Sequence, residues 1–194
     1  PRELLGDQRE KLTQRLRHAI LHRNDEGVGA ALGAVEAAVA VHAAVADPAG
    51  SVLWDAGPHA LAHELLSGLP AAASGRASDP PGRAISDAVG VAVARTIRRD
   101  ASPVIAVIDG SGLSSGLAFE AVNHAGHLQI PLVLLLLDAQ SGRGRGIGAV
   151  PRYLTRLRGH PRYADAKAVI EQGLSRMPAG EQAVEVVRRL KNSV

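Results

Sequence analysis

The sequence predicts an α/β protein, a parallel sheet with helices on both faces, and three observations lead there. Helical stretches alternate with short, uninterrupted apolar runs, the pattern of parallel strands buried on both sides. The chain has 194 residues, enough for a full hydrophobic core, and a single domain over 1–194 is expected. The hydrophobic fraction is 46%, yet there are only one Phe, two Tyr and one Trp. The core must therefore be built from Ala, Val and Leu, which suits helices packed closely on a sheet.

The elements follow in order. Residues 3–22 carry Leu4, Leu5, Leu12, Leu16, Ala19, Ile20 and Leu21 mostly on one side of a helix. Asn24-Asp25-Glu26-Gly27 ends it. Residues 32–46 form a second helix, apolar nearly all round and so expected to be buried, closed by Asp47-Pro48. Residues 51–55 (SVLWD) read as a short buried strand. A helix over 58–67 has Pro58 at its first position, where a missing N–H costs nothing. Residues 68–84 are rich in Gly, Pro, Ala and Ser and are expected to be a mobile loop. A helix over 85–98 leads to the central strand, Val104–Ile108, and another helix follows over 114–126. Residues 132–138 (LVLLLLD) are the most hydrophobic strand, with Pro131 tolerable at its start. Residues 139–150 read as a flexible Gly/Arg-rich loop, and 151–158, 163–175 and 180–192 as helices. No internal repeat is present.

Composition excludes several classes. With no cysteine, neither disulfides nor thiolate metal sites are possible. No run of 18 apolar residues suggests a membrane span, and the charged, amphipathic start does not read as a signal peptide. A cytoplasmic protein is the expectation. Net charge is +3, and much of the excess is late, in Arg143, Arg145, Arg152, Arg156, Arg158, Arg162, Arg188, Arg189 and Lys191. These are read as solvating charges. A nucleic-acid partner is not expected, because neither aromatic platforms nor a recognisable nucleic-acid module accompanies them.

The most informative stretch is 104–126, VIAVIDGSGLSSGLAFEAVNHAG: a buried strand, a turn of small residues, then a helix carrying Phe119, Glu120 and Asn123. Other fragments join it. Leu32-Gly33-Ala34-Val35-Glu36 and Ala40-Val41-His42 come early. Leu53-Trp54-Asp55-Ala56-Gly57 follows, with His63 and Leu65-Leu66-Ser67-Gly68. Then come Ser86, Ala88-Val89-Gly90 and Ala92-Val93-Ala94-Arg95, and last Arg188-Arg189-Leu190-Lys191-Asn192-Ser193. Together they resemble the N-terminal domain of 1-deoxy-D-xylulose-5-phosphate synthase, a thiamine-diphosphate enzyme of isoprenoid biosynthesis, over nearly the whole chain. The resemblance implies the thiamine-diphosphate-binding fold and transketolase-type transferase chemistry.

The departures from that family fall on chemistry. Its Gly-Asp-Gly after the strand supplies a magnesium ligand, and that Asp aligns with Gly110. Its Asn-Asp-Asn after the last strand becomes Leu137-Asp138-Ala139, placing the second ligand on Ala139. Two family histidines align with Gly27 and Pro58, and a longer family loop is replaced by the 69–85 segment. Magnesium wants oxygen ligands, which Gly110 and Ala139 do not offer. Gly27 and Pro58 can neither donate from an imidazole nor move protons. The resemblance therefore implies vestigial cofactor contacts at Gly110, Ser111, Gly112, Leu113, Ser114 and Asn123, with no catalytic residue and no metal site assigned. If a cation binds, Asp109 and Asp138 are its candidates, each one residue before a lost ligand. An Asp at a strand end more commonly caps the following turn.

Two further patterns lie outside the resemblance. His59 and His63 are four apart, a spacing seen in zinc sites, but no third ligand is identifiable. Gly142-Arg143-Gly144-Arg145-Gly146 has phosphate-binding character and reads better as surface loop. The expected function is a non-catalytic or partner-dependent subunit. No cofactor is expected in the isolated chain; thiamine diphosphate and magnesium would be needed if the family activity survives. The expected partner is another copy or a complementary transketolase-like subunit, because family sites form between two domains and only the first is represented here. The alternatives are a small subunit or fragment of a transferase condensing pyruvate with glyceraldehyde 3-phosphate or a related acceptor, and a binding module for phosphate ligands or nucleic acid.

Overall fold

The computed structural model describes residues 6–23, 27–45, 48–68, 80–110 and 112–137, with single positions at Ala149, Tyr153 and Arg156. The chain divides into two compact units, 1–143 and 144–194. In the second, Ala149, Tyr153 and Arg156 are helical. Tyr153 and Arg156 agree with the helix expected over 151–158, whereas Ala149 is helical inside a stretch read as loop. The rest of the 139–150 loop, the helices expected over 163–175 and 180–192, and residues 69–79 of the first loop lie outside the described residues.

In the first unit α1 is Gly6–Leu21, α2 Val28–Gly33, α3 Val35–Ala44 and α4 the single turn Pro48–Ser51. Strand β1 is Val52–Trp54. A 3₁₀ turn, Pro58–Ala60, leads into α5, Leu61–Ser67. Helix α6 is Arg83–Arg98 and strand β2 Val104–Asp109. A second 3₁₀ turn, Gly112–Ser114, precedes α7, Gly116–Leu128, and β3 is Leu132–Leu137. The helix expected over 32–46 is two helices, parted where Ala34 bonds back to Ala31 in a tighter i→i+3 step. Gly27, at φ +88°, starts α2 earlier than the apolar pattern suggested.

All three strands are parallel, in the order β1-β2-β3, so 104–108 is central as expected. Alternation along the strands then builds two cores. One face carries Val52, Trp54, Ile105, Val107, Leu135 and Leu137, packed with Leu16, Ile20, Val35, Ala38, Val39 and Ala62 of α1, α3 and α5. The other carries Leu53, Val104, Ala106, Ile108, Leu132 and Leu136, packed with Ile85, Ala88 and Ala92 of α6 and Ala118 and Ala121 of α7. Helices therefore cover both faces, the thiamine-diphosphate-fold arrangement. Alanines on α6 at 84, 88 and 92 let its axis lie close to the sheet.

The most hydrophobic strand is not the most buried. On β3, Val133 is 53% and Leu134 37% exposed. Among the described residues it pairs with β2 alone.

Candidate functional site

In parallel sheets the crevice beyond the strand C-termini is where ligands bind. Here Asp55, Gly57 and His59 follow β1, while Asp109 ends β2 and Gly110 and the Gly112–Ser114 turn follow it. The Asp55 N–H donates to Val107 C=O at 2.8 Å, continuing the ladder one residue past β1. Its carboxylate is buried and accepts from Gly82 N–H at 2.7 Å and Ala84 N–H at 3.3 Å. It thus satisfies orphan donors at the start of α6 from 27 residues away. Loop 68–84 consequently ends two residues before its expected boundary, because this cap lets α6 begin at Arg83.

The first turns of α6 and α7 are held together. Ser115 Oγ accepts from Ala118 N–H at 3.1 Å, capping α7, and donates to Pro81 C=O at 2.8 Å. Gly82 sits between the two at φ +89°; a Cβ there would lie 2.5 Å from Ser115 Oγ and 2.6 Å from Ala118 Cβ. A Cβ on Gly112 would lie 2.8 Å from Asp55 Oδ2. The glycines here are needed for close approach, and Asp55 is the hub.

Asp109 takes the capping role anticipated for a strand-end Asp. Its Oδ1 accepts from Gly112 N–H at 2.6 Å, closing the turn after β2. Its Oδ2 lies 4.0 Å from His59 Nδ1. His59 is buried, and its Nε2 has no hydrogen-bond partner among the described residues. Burial holds the imidazole below its ordinary pKa, opposed by the carboxylates of Asp109 and Asp55. At Gly110, next in the chain, a Cβ would meet none of the described residues within 4 Å.

Of the residues implied by resemblance, Gly110, Gly112, Leu113 and Ser114 share this turn, with Gly112 buried and Ser114 exposed. Ser111 and Asp138 lie outside the described residues. Asn123 is exposed, seven residues into α7 and so about 10 Å along its axis from Gly116.

His59 and His63 do not form a chelating pair. His63 turns into the core, where its Nδ1 lies 2.8 Å from Nε2 of His42, and its ring stacks on Trp54 at 5.3 Å. Burial lowers both pKa values to about 4, and for His63 the charge of His42 adds to it. Two neutral imidazoles share one proton here, donor to acceptor. Among the described residues no group of three or more His, Asp or Glu converges on a metal position. No local pattern marks the His42–His63 contact; a polar residue inside an otherwise apolar helix is the available hint.

Gly27 and Pro58, the positions matching family histidines, touch each other. A Cβ on Gly27 would lie 2.3 Å from Pro58 Cγ and 2.6 Å from its Cβ. The Pro58 ring occupies the space a side chain at 27 would need.

Comparison with known proteins agrees with this architecture. The 1-deoxy-D-xylulose-5-phosphate synthase family model matches residues 2–74 and 74–194, broken inside the 69–85 segment read as shortened. The 1-deoxy-D-xylulose-5-phosphate synthase of Thermomicrobium roseum is 36% identical over 93% of this chain and 32% of its own length. That of Carboxydothermus hydrogenoformans is 33% identical over 100% of this chain and 34% of its own, and that of Pelotomaculum thermopropionicum 34% identical over 84% and 29%. The chain spans about a third of the length of these curated relatives. The Carboxydothermus alignment runs over 217 positions, more than the 194 residues here, so that relative carries stretches this chain lacks.

Proposed function

The chain belongs to the 1-deoxy-D-xylulose-5-phosphate synthase family, as a counterpart of its N-terminal domain, and from that premise we propose a partner-dependent module that does not hold thiamine diphosphate and magnesium by itself. The observation that carries this reading is the turn after β2. The position matching the family's magnesium Asp is Gly110, which has no side-chain oxygen. The adjacent carboxylate of Asp109 is directed to Gly112 N–H and His59. One oxygen of that carboxylate is thus engaged in closing its own turn, one residue short of the family's ligand position. Among the described residues, the position that should supply a magnesium ligand offers no oxygen and so does not fit the cofactor's metal, and no catalytic step is derived through it. The Gly27–Pro58 contact supports the same reading, because two positions matching histidines have become one packed, apolar contact.

Partner dependence rests on exposed apolar surface. Leu117, Phe119 and Val122 of α7, with Val133 and Leu134 of β3, are exposed. Apolar surface of this kind marks an interaction face. The partner in this reading supplies what the other two thirds of the relatives contain.

A second reading, favoured by 30–36% identity to named synthases, makes the chain one part of a working transferase acting on pyruvate and glyceraldehyde 3-phosphate. Reconstitution separates the two. The chain is combined with a polypeptide comprising the remaining two thirds of the Thermomicrobium relative, then followed by sedimentation and by turnover with thiamine diphosphate and magnesium. Complex formation without turnover is the expected result. Complex formation with turnover selects the second reading, and a clean monomer that forms no complex contradicts partner dependence.

A further inference from the structure

We propose that His18 and His22, at the C-terminal end of α1, chelate a divalent transition-metal ion, with zinc the best fit. Their Nε2 atoms lie 3.3 Å apart, and both rings are exposed. Residues four apart on a helix share a face, and His22 N–H still bonds His18 C=O at 3.1 Å, so the last turn is regular through His22. The rings meet edge to face, with centroids 4.3 Å apart.

The separation suits zinc chemistry. Two nitrogens each about 2.0–2.1 Å from zinc, at a tetrahedral angle, lie about 3.3–3.4 Å apart. A bound ion takes the place of the hydrogen between the two Nε2 atoms: the donor ring moves its proton from Nε2 to Nδ1, so that both rings coordinate through Nε2 as Nδ1–H tautomers. The negative end of the α1 dipole adds to the attraction for a cation. Imidazole nitrogen selects zinc, copper or nickel over magnesium or calcium, which prefer oxygen. Because no third His, Asp or Glu converges among the described residues, water completes the coordination. Neither histidine belongs to the strand-end residues described above. The spacing was legible in the sequence, where His59 and His63 show the same interval; only the structure shows which pair faces itself.

The test is calorimetric titration of the full chain with zinc chloride. One site is expected, weakened at least about tenfold by His18→Ala or His22→Ala, because each leaves a single ligand and loses the chelate advantage. The changes lie on an exposed face, and circular dichroism checks that the fold is kept. His124→Ala with His127→Ala, an exposed pair three apart on α7, should leave the affinity unchanged. Zinc binding that survives the His18/His22 double variant, or disappears with the His124/His127 variant, overturns the proposal. So does failure of zinc to bind the unaltered chain at all.

Discussion

Asp55 illustrates what one residue does in this fold. Its carboxylate holds the start of α6 at two N–H groups, and both Gly82 and Gly112 are small where they approach this region. Asp55→Ala should cost about 2 kcal/mol, at the upper end for a lost cap because the freed donors are buried. Gly82→Ala should cost at least as much, since it combines positive φ with overlap against Ser115 and Ala118. Urea denaturation read as a change in midpoint at constant slope checks both; an effect below about 0.5 kcal/mol for either would remove Asp55 from its central place. The His42–His63 pair makes a separate prediction. Both folded-state pKa values lie near 4, below the unfolded value of about 6.5. The unfolded chain then binds protons first as pH falls. The stability from keeping the pair neutral is full above about pH 6.5 and is lost progressively between about 6.5 and 4, by a few kcal/mol in total. A thermal melt series from pH 7.5 to 5, ahead of most carboxylate titration, should show the decline, and His42→Gln with His63→Gln should flatten it. A flat unaltered chain would mean the pair is not proton-excluding.

At the level of elements, the sequence was informative where periodicity is local and silent where a partner comes from far along the chain. The parallel strands and the helices between them follow from the alternation of helical stretches with apolar runs. The true start of α6 does not, because its cap is 27 residues upstream. The break at Ala34 was hidden because every residue around it is small and apolar, with no Pro or polar cap to mark the join. Strand β3 was read as fully covered from hydrophobicity, but burial depends on neighbours, and among the described residues β3 pairs with β2 alone. Within the site, the turn 110–114 was placed correctly beyond β2, whereas the Gly27–Pro58 contact joins elements 31 residues apart and left no local sign. That contact should appear as energetic coupling. Gly27→Ala should destabilise markedly and be partly rescued in the Pro58→Gly background, with a coupling of about 1 kcal/mol. Additive effects would show that the two do not compete for space. The apolar surfaces of α7 and β3 should likewise act together. Phe119→Asp or Val133→Asp should reduce association with the partner polypeptide in sedimentation, while Ile97→Asp, on the exposed end of α6, should not.

For the whole molecule, the outstanding feature is a retained architecture around an altered strand-end turn. Two cores close on both faces of the sheet, and the family's fold is present without an acid at position 110. Among the described residues nothing crowds a Cβ at position 110. Binding supplies the direct readout, because any ligand that binds the folded state raises its stability by mass action, by about 2.7 kcal/mol at a hundredfold excess over its dissociation constant. The decisive measurement is calorimetric titration of the isolated chain with thiamine diphosphate in the presence of magnesium, repeated with chelator. No magnesium-dependent heat and no chelator-sensitive stabilisation are expected; a micromolar dissociation constant abolished by chelator would contradict the reading and make Asp109 and Asp138 the first residues to mutate.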